Sequence, residues 1–286
     1  MFSIIIPTYN NLNYLKLCIK SLLKNSKYEH EIIIHINDGS DGTLIFVKEE
    51  GYKYTNSIEN IGLCSSINIA AKLSSKKYIL YSHDDMYFCP GWDDVLINEI
   101  KLMKHENFYL SGTMIEPNSG HIEHDFGNNI KNFRENDLLL KYKNLNFYDH
   151  QGTHFAPHIV TKNMWNKVGG FSEEFNPGIA SDPDFNMKLW NEGVRIFKGL
   201  NDFKVYHFGS ITTRKKKNFH KNKGDLTFLK KWGITTKFFK KYYLKSKTKY
   251  SGPLSEPKIS FNYLLELIIF KIRKIFIFLF CLKHYF

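Results

Sequence analysis

Residues 2–10 read FSIIIPTYN and residues 31–43 read EIIIHINDGSDGT. Each opens on a β-branched apolar run and ends in polar turn residues, the pattern of a parallel strand buried on both faces. Between them, residues 11–25 (NLNYLKLCIKSLLKN) place Leu12, Leu15, Cys18, Ile19, Leu22 and Leu23 at helical spacing, behind an Asn pair suited to capping. Strand, helix and strand within about 35 residues predict a right-handed βαβ unit. The alternation continues with a helix over 44–51, a strand over 52–55, a helix over 63–74, a strand over 78–82 and an amphipathic helix over 91–104. The fold class is therefore α/β, with a mostly parallel central sheet flanked by helices. After residue 105 the alternation stops. Residues 108–160 read as loops and short strand-like pieces, 161–168 and 183–192 as helices, and 203–208 as a strand.

Strands in an open α/β sheet present their functional groups at their C-terminal ends. Here three such ends are polar: Pro7-Thr8-Tyr9-Asn10, Asn37-Asp38-Gly39-Ser40 and His83-Asp84-Asp85. Any one alone reads as a strand-terminating turn; three together on one sheet edge read as a site. No GxGxxG follows the first strand, which argues against a dinucleotide enzyme. Residues 8–13 contain neither glycine nor lysine, which argues against nucleotidyl transfer.

These stretches resemble the family 2 glycosyltransferases of GT-A fold. The matching pieces are IIIPTYN (4–10), EIIIHINDGSDGT (31–43), NIGLCSSINIAA (60–71), YILYSHDDMYFCPGW (78–92), VGGFSEEF with SDPDFNMKLWNEG (168–193), and VYHFGS (205–210). They cover about residues 2–210 in order. The resemblance implies a nucleotide-diphosphate sugar as donor, with a UDP-sugar as the expected form. It assigns Pro7, Thr8, Tyr9, Asn10 and Asp38 to the nucleoside pocket, and Asn60 and Gly62 to a close approach of the backbone to the donor. Asn37 stands where the family usually has an Asp.

The resemblance also implies a divalent metal, Mn2+ or Mg2+, held by a DxD motif to neutralise the leaving diphosphate. Counting back from Pro90 aligns His83 with the first Asp, Asp84 with the middle position and Asp85 with the second. Asp85 is thus the leading metal ligand, with His83 weaker, and Asp84 sits between metal and donor roles. His207 matches the distant histidine that completes such sites. The acidic pair before the acceptor-side helix is here Ser181-Asp182. Asp182 is the candidate general base and Asp184 the second choice. Asp182 before Pro183 also reads as a helix N-cap. One base with no carboxylate nucleophile implies inversion at the sugar carbon.

His150, His154 and His158 recur every four residues, but Gly152 and Pro157 argue against a helix that would turn them into a zinc stripe. That loop is expected to border the acceptor pocket or to be structural. Trp165, Phe171 and Trp92 read as core. Cys18, Cys64, Cys89 and Cys281 form no CxxC pair, so a reduced, cytoplasmic protein is expected. No leader-like apolar segment and no stretch of 18 uninterrupted apolar residues is present.

With 40 Lys+Arg against 28 Asp+Glu the formal charge is +12, and 43% of the 286 residues are hydrophobic. That composition excludes a disordered tail and a disulfide scaffold. The excess is local: residues 212–258 carry 15 basic side chains against Asp225 and Glu256, a net of +13. Residues 1–211 are expected to form the GT-A domain, with a donor-binding half (1–105) and an acceptor half (106–211). Residues 212–286 are expected to form a basic, aromatic helical extension. Three readings of that extension stay open: contact with an anionic membrane surface, packing on the body with solvated lysines, and, well behind these, nucleic-acid binding. The expectation is a metal-dependent, inverting glycosyltransferase acting on a hydroxyl of a glycan, lipid-linked or protein-linked acceptor. It would be cytoplasmic, with the membrane surface as a peripheral location. The alternative is a non-catalytic sugar- or membrane-binding module on the same scaffold.

Overall fold

The computed structural model describes residues 1–103, 105–209 and 224–282, the last eight of these as backbone helix only. The βαβ start is as expected. Strand β1 (Phe2–Tyr9), helix α1 (Leu12–Lys24) and strand β2 (Glu31–Asn37) lead into α2 (Thr43–Glu49), β3 (Lys53–Ser57), α3 (Leu63–Ala71), β4 (Tyr78–Tyr81), β5 (Met86–Phe88) and α4 (Trp92–Leu102). Lys104, the last residue of the expected 91–104 helix, lies outside the described residues. Strand β1 pairs in parallel with β2, Ile4 against Ile32 and Ile6 against Ile34, and with β4 on its other side. Both of its faces are covered, which is why the run is apolar without alternation. The first turn of α1 is tied not by the Asn11 side chain but by Asp41, whose carboxylate accepts from Leu12 N at 2.9 Å.

The second half differs from the sequence reading. Residues 108–116 form a long, fully buried strand, β6 (Phe108–Glu116), followed by β7 (Ile122–Glu123), α5 (Glu135–Lys141), β8 (His150–Gln151), β9 (His158–Thr161) and α6 (Lys162–Val168). Helix α7 (Ser181–Asn191) precedes β10 (Ile196–His207), which starts well before the expected 203. The sheet order is β3-β2-β1-β4-β9-β6-β10-β5, with β7 beside β6 and β8 beside β10. Strand β9 runs antiparallel between β4 and β6, and β5 pairs antiparallel with β10, Met86 opposite His207. This last pairing brings the segment after β4 against the end of β10.

Trp92 is fully buried against the rings of Phe2, Phe88 and Phe203, so it joins α4 to three strands as core. Phe171 stacks on Phe185 at 4.8 Å beside Trp165, also core. Cys18, Cys64 and Cys89 are buried free thiols; Cys281 is outside the described side chains.

The C-terminal segment is helical and packs on the body. Its helix Gly224–Trp232 donates from Trp232 Nε1 to Asp184 Oδ1 at 2.8 Å, and Phe228, Phe238 and Phe239 are fully buried. The C-terminal helix Phe261–Leu282 packs Tyr263 and Phe270 on Phe238. The expected boundary at 211 and the basic residues 214–223, with Phe219, lie outside the described residues.

Candidate active site

The three polar strand ends meet, as parallel neighbours in register must. Thr8, at the end of β1, donates its hydroxyl to Asp84 Oδ2 at 2.6 Å, joining β1 to the segment after β4. Asp84 is buried; burial and the adjacent Asp85 raise its pKa to about 7. Asn10 donates to Asp38 Oδ2 at 2.8 Å and accepts from Gly39 N at 2.9 Å, clipping the ends of β1 and β2 together. Both residues hold positive φ, 45° for Asn10 and 64° for Asp38, a region that short polar side chains tolerate better than most. Asn37 is buried, donating to Thr8 O and Ser66 Oγ and accepting from Ile61 N. An Asp here would lack the donor for two of those bonds, so the departure from the family run is structural.

Gly62 also has a packing role. Its φ is +88°, and an added Cβ would fall 2.4 Å from Asn176 Oδ1. The Asn176 side chain, which also accepts from Cys64 N, packs against it. Asn60 contributes by accepting from Gly62 N at 3.0 Å.

His83, Asp85 and His207 converge, with one ligand atom of each lying within 4.8 Å of the others. His207 Nε2 lies 3.2 Å from Asp85 Oδ1, and His83 Nδ1 lies 4.0 Å from the same oxygen. The other ring nitrogen of His207 is taken by Glu116 Oε1 at the end of β6. That is how a ligating imidazole is ordinarily oriented, its second nitrogen held by a carboxylate so that the first faces the metal. Burial favours the neutral form of His207, but Asp85 and Glu116 override it and raise its pKa to about 10. A divalent cation held here would take the place of that proton, with Asp85 and Glu116 supplying balancing charge. Burial holds His83 neutral, its pKa lowered to about 4, as a nitrogen ligand must be. The donor set fits a divalent transition metal, and two imidazoles suit Mn2+ better than Mg2+.

Beside this group opens a cavity of about 1240 Å³, lined by His83 and His207 on one side and by Asp182 on another. Helix α7 begins at Ser181 behind Ala180 (φ 65°), so Asp182 sits inside the first turn and is not the N-cap. Its Oδ1 is buried without a hydrogen-bond partner, and burial raises its pKa to about 7. Asp184 is placed elsewhere: fully buried, it accepts from Ser172 at 2.6 Å and from Trp232 at 2.8 Å, and Lys231 lies 3.0 Å away. It anchors the C-terminal segment and does not line the cavity, so the second-choice base is withdrawn.

His150 and His154 do border this cavity, while His158 lies under it among the rings of Tyr81, Tyr109 and Phe185. Burial lowers the pKa of His150 and His154 to about 4, leaving neutral rings. Neither nitrogen of His150 has a partner, and His154 Nε2 has none. Gly199 makes room for His150, since a Cβ there would fall 1.9 Å from its ring. Sequence reading missed Glu116 and His121, whose ring packs 4.3 Å from His150. It also missed that the C-terminal segment supplies a cavity wall through Lys237, Lys240, Lys245 and Lys247.

Comparison with known proteins identifies the family and the fold. The family model described as Glycosyl transferase family 2 matches residues 3–157, more than half of the chain. An uncharacterized glycosyltransferase of Rickettsia bellii is 33% identical over 117 residues, 39% of this chain and 16% of the relative. Hyaluronan synthase of Pasteurella multocida is 26% identical over 246 residues, 83% of this chain and 22% of the synthase. The chain thus spans about a fifth of the length of such relatives. Among solved structures, S. aureus TarS 1-349 in complex with UDP-GlcNAc is similar in fold, with a TM-score of 0.55 and 19% identity over 73% of this chain and 60% of TarS.

Proposed function

The chain belongs to glycosyl transferase family 2, and from that premise we propose that it transfers a sugar, with inversion, from a nucleoside-diphosphate donor to a hydroxyl of a glycan or glycan-bearing acceptor. The observation that carries this reading is the convergence of His83, Asp85 and His207 beside a cavity lined by Asp182. His83, Asp85 and His207 would hold a divalent metal, Mn2+ ahead of Mg2+. Bound there, such an ion supplies Lewis-acid stabilisation of the departing diphosphate.

Residues 1–105 act as the donor half. Pro7, Thr8, Tyr9 and Asn10 with Asp38 receive the nucleoside, and Asn60 and Gly62 shape the neighbouring turn. Asp84 supports that edge through its bond with Thr8. Residues 106–211 supply the acceptor side. Asp182 takes the proton of the attacking hydroxyl: a carboxylate with pKa near 7 is well matched to that task, and its partnerless Oδ1 is free to receive it. The described carboxylates lining the cavity are Glu116 and Asp182, and Glu116 is held by His207 and Ser119. That leaves one base and no nucleophile, which supports single displacement. The unpartnered nitrogens of His150 and His154 are suited to sugar hydroxyls.

The location proposed is the cytoplasmic face of an anionic membrane. Among the described residues no helix is long and apolar enough to cross one. On the C-terminal helix, Phe261, Leu264, Leu265, Ile268, Ile269 and Ile272 are exposed next to Lys271, Arg273 and Lys274, an apolar face with cationic neighbours. Co-sedimentation with phosphatidylglycerol vesicles should be lost in the L264S/L265S/I268S/I269S variant; binding unchanged by that variant refutes the location.

The test of function is nucleoside-diphosphate release from a panel of nucleotide sugars with Mn2+ or Mg2+, beginning with UDP-GlcNAc because TarS is seen with it. Turnover of one donor supports the reading; donor binding without release by any member points to a non-catalytic module.

A further inference from the structure

The excess positive charge of the chain reaches the candidate active site. Lys237, Lys240, Lys245 and Lys247 line the same cavity as His83, His207 and Asp182. No described residue places a carboxylate within 4.0 Å of these four, whereas the neighbouring Lys241 is paired with Glu266. The segment that carries Lys245 and Lys247 is held in place by the backbone. Gln151 N donates to Thr248 O at 2.8 Å, Tyr250 N to Asp149 O at 2.7 Å, and Ser246 Oγ to Gly152 O at 2.7 Å. Gly152 packs so closely that a Cβ there would fall 2.0 Å from Leu244 O. Lys245 and Lys247 both take positive φ, 50° and 70°, a conformation that long side chains rarely adopt and that needs surrounding structure to hold it. Merely solvated lysines need no such fixing.

The wall also stands apart from the proposed nucleoside residues. Thr8, Asn10, Asp38 and Asn60 do not line this cavity, while Asp182, His150 and His154 do. Lysines lining the cavity that Asp182 also lines would meet the molecule that carries the attacking hydroxyl. The two cavity carboxylates, Glu116 and Asp182, lie within the site, so an anion at the lysine wall would not have to displace either.

We propose that the four lysines form a subsite for an anionic acceptor glycan, its repeating carboxylate or phosphodiester groups lying along Lys237, Lys240, Lys245 and Lys247 while a hydroxyl reaches Asp182. This deepens the transferase reading and rests on it for the word acceptor; the anion subsite itself is tested by binding.

The experiment is fluorescence polarisation with the full chain and three labelled probes: an oligogalacturonate for carboxylates, a short poly(glycerol phosphate) for phosphodiesters, and a neutral malto-oligosaccharide. The K237A/K240A/K245A/K247A variant is compared with a control of equal charge, K20A/K48A/K72A/K76A, whose lysines are exposed elsewhere. Expected is a loss of at least about tenfold in affinity for one anionic probe in the cavity variant, against less than about twofold in the control. Replacing the four by arginine should restore it. Whichever anionic probe responds identifies the acid class. Equal losses in both variants would mean a bulk field and overturn the subsite. So would anionic-probe affinity unchanged in the cavity variant, whether or not vesicle binding falls with it. UDP-induced thermal stabilisation with Mn2+ is measured on the same samples. If that stabilisation is lost in the cavity variant alone, the lysines serve the donor diphosphate and the proposal is refuted. If wild type shows none while the anionic probe still depends on the lysines, the transferase reading fails and the anion subsite stands.

Discussion

Glu116 holds Nδ1 of His207, leaving Nε2 to face Asp85 at 3.2 Å. Strands β6 and β10 pair in parallel, with an irregularity between Gly199 and Lys204, and Tyr206 opposite Ile115 brings the pair together. Under the proposed metal site, Glu116 is therefore a positioning residue. E116Q keeps the shape but removes the charge that orients and polarises the ring. It should raise the Mn2+ concentration needed for half-maximal turnover by about 10–100-fold, with turnover largely regained at saturating metal. A metal titration checks this; a fall in maximal turnover with unchanged metal dependence would remove Glu116 from the metal site.

Asp182 and Asp184 are two residues apart and should behave oppositely. D182N is expected to lower kcat by about 10²–10⁴-fold while sparing donor binding. Wild-type kcat should rise with pH up to about 7, because the base works only once deprotonated and burial raises its pKa to that value. Steady-state rates from pH 5 to 9 test both statements.

D184A should fail in a different way. It leaves Trp232 Nε1, Ser172 Oγ and Lys231 without their shared acceptor and loosens the helix Gly224–Trp232. Stability should drop by about 2–4 kcal/mol in urea unfolding, with the protein that remains folded still turning over donor.

The raised pKa of Asp182 also has a stability signature. In the unfolded chain an aspartate ionises near its ordinary value of 3.8, while the folded one keeps its proton to about 7. Between those values the folded state binds more protons, so this group's contribution to stability falls as pH rises. D182N removes the titration. Its Tm relative to wild type should therefore be higher at pH 8 than at pH 4.5, by a few degrees, in thermal scans at both pH values.

The first half of the sheet was legible because β1, β2 and β4 are buried on both faces and end in polar turns, a local signal that survives without an alignment. Strand β6 was not. FYLSGTMIE is buried throughout yet carries Ser111, Gly112 and Thr113 at its middle, which reads as loop until Thr113 is seen bonded to Leu200 O and Ser111 to Thr153. Missing β6 meant missing Glu116. The sequence ranked Asp182 ahead of Asp184 but did not show that Asp184 anchors the C-terminal segment, since its partners Trp232 and Lys231 come from about fifty residues on. The lysines were visible as charge, but their orientation depends on backbone pairing between 148–152 and 244–250, a long-range contact that composition does not report.

The most direct test of the central claim, a metal-dependent nucleotide-sugar site built on His83, Asp85 and His207, is calorimetric titration of UDP into wild type and D85A, each with and without Mn2+. The account predicts binding to wild type only when Mn2+ is present, and none to D85A that folds with an unchanged circular dichroism spectrum. UDP binding of equal strength in all four titrations would contradict it.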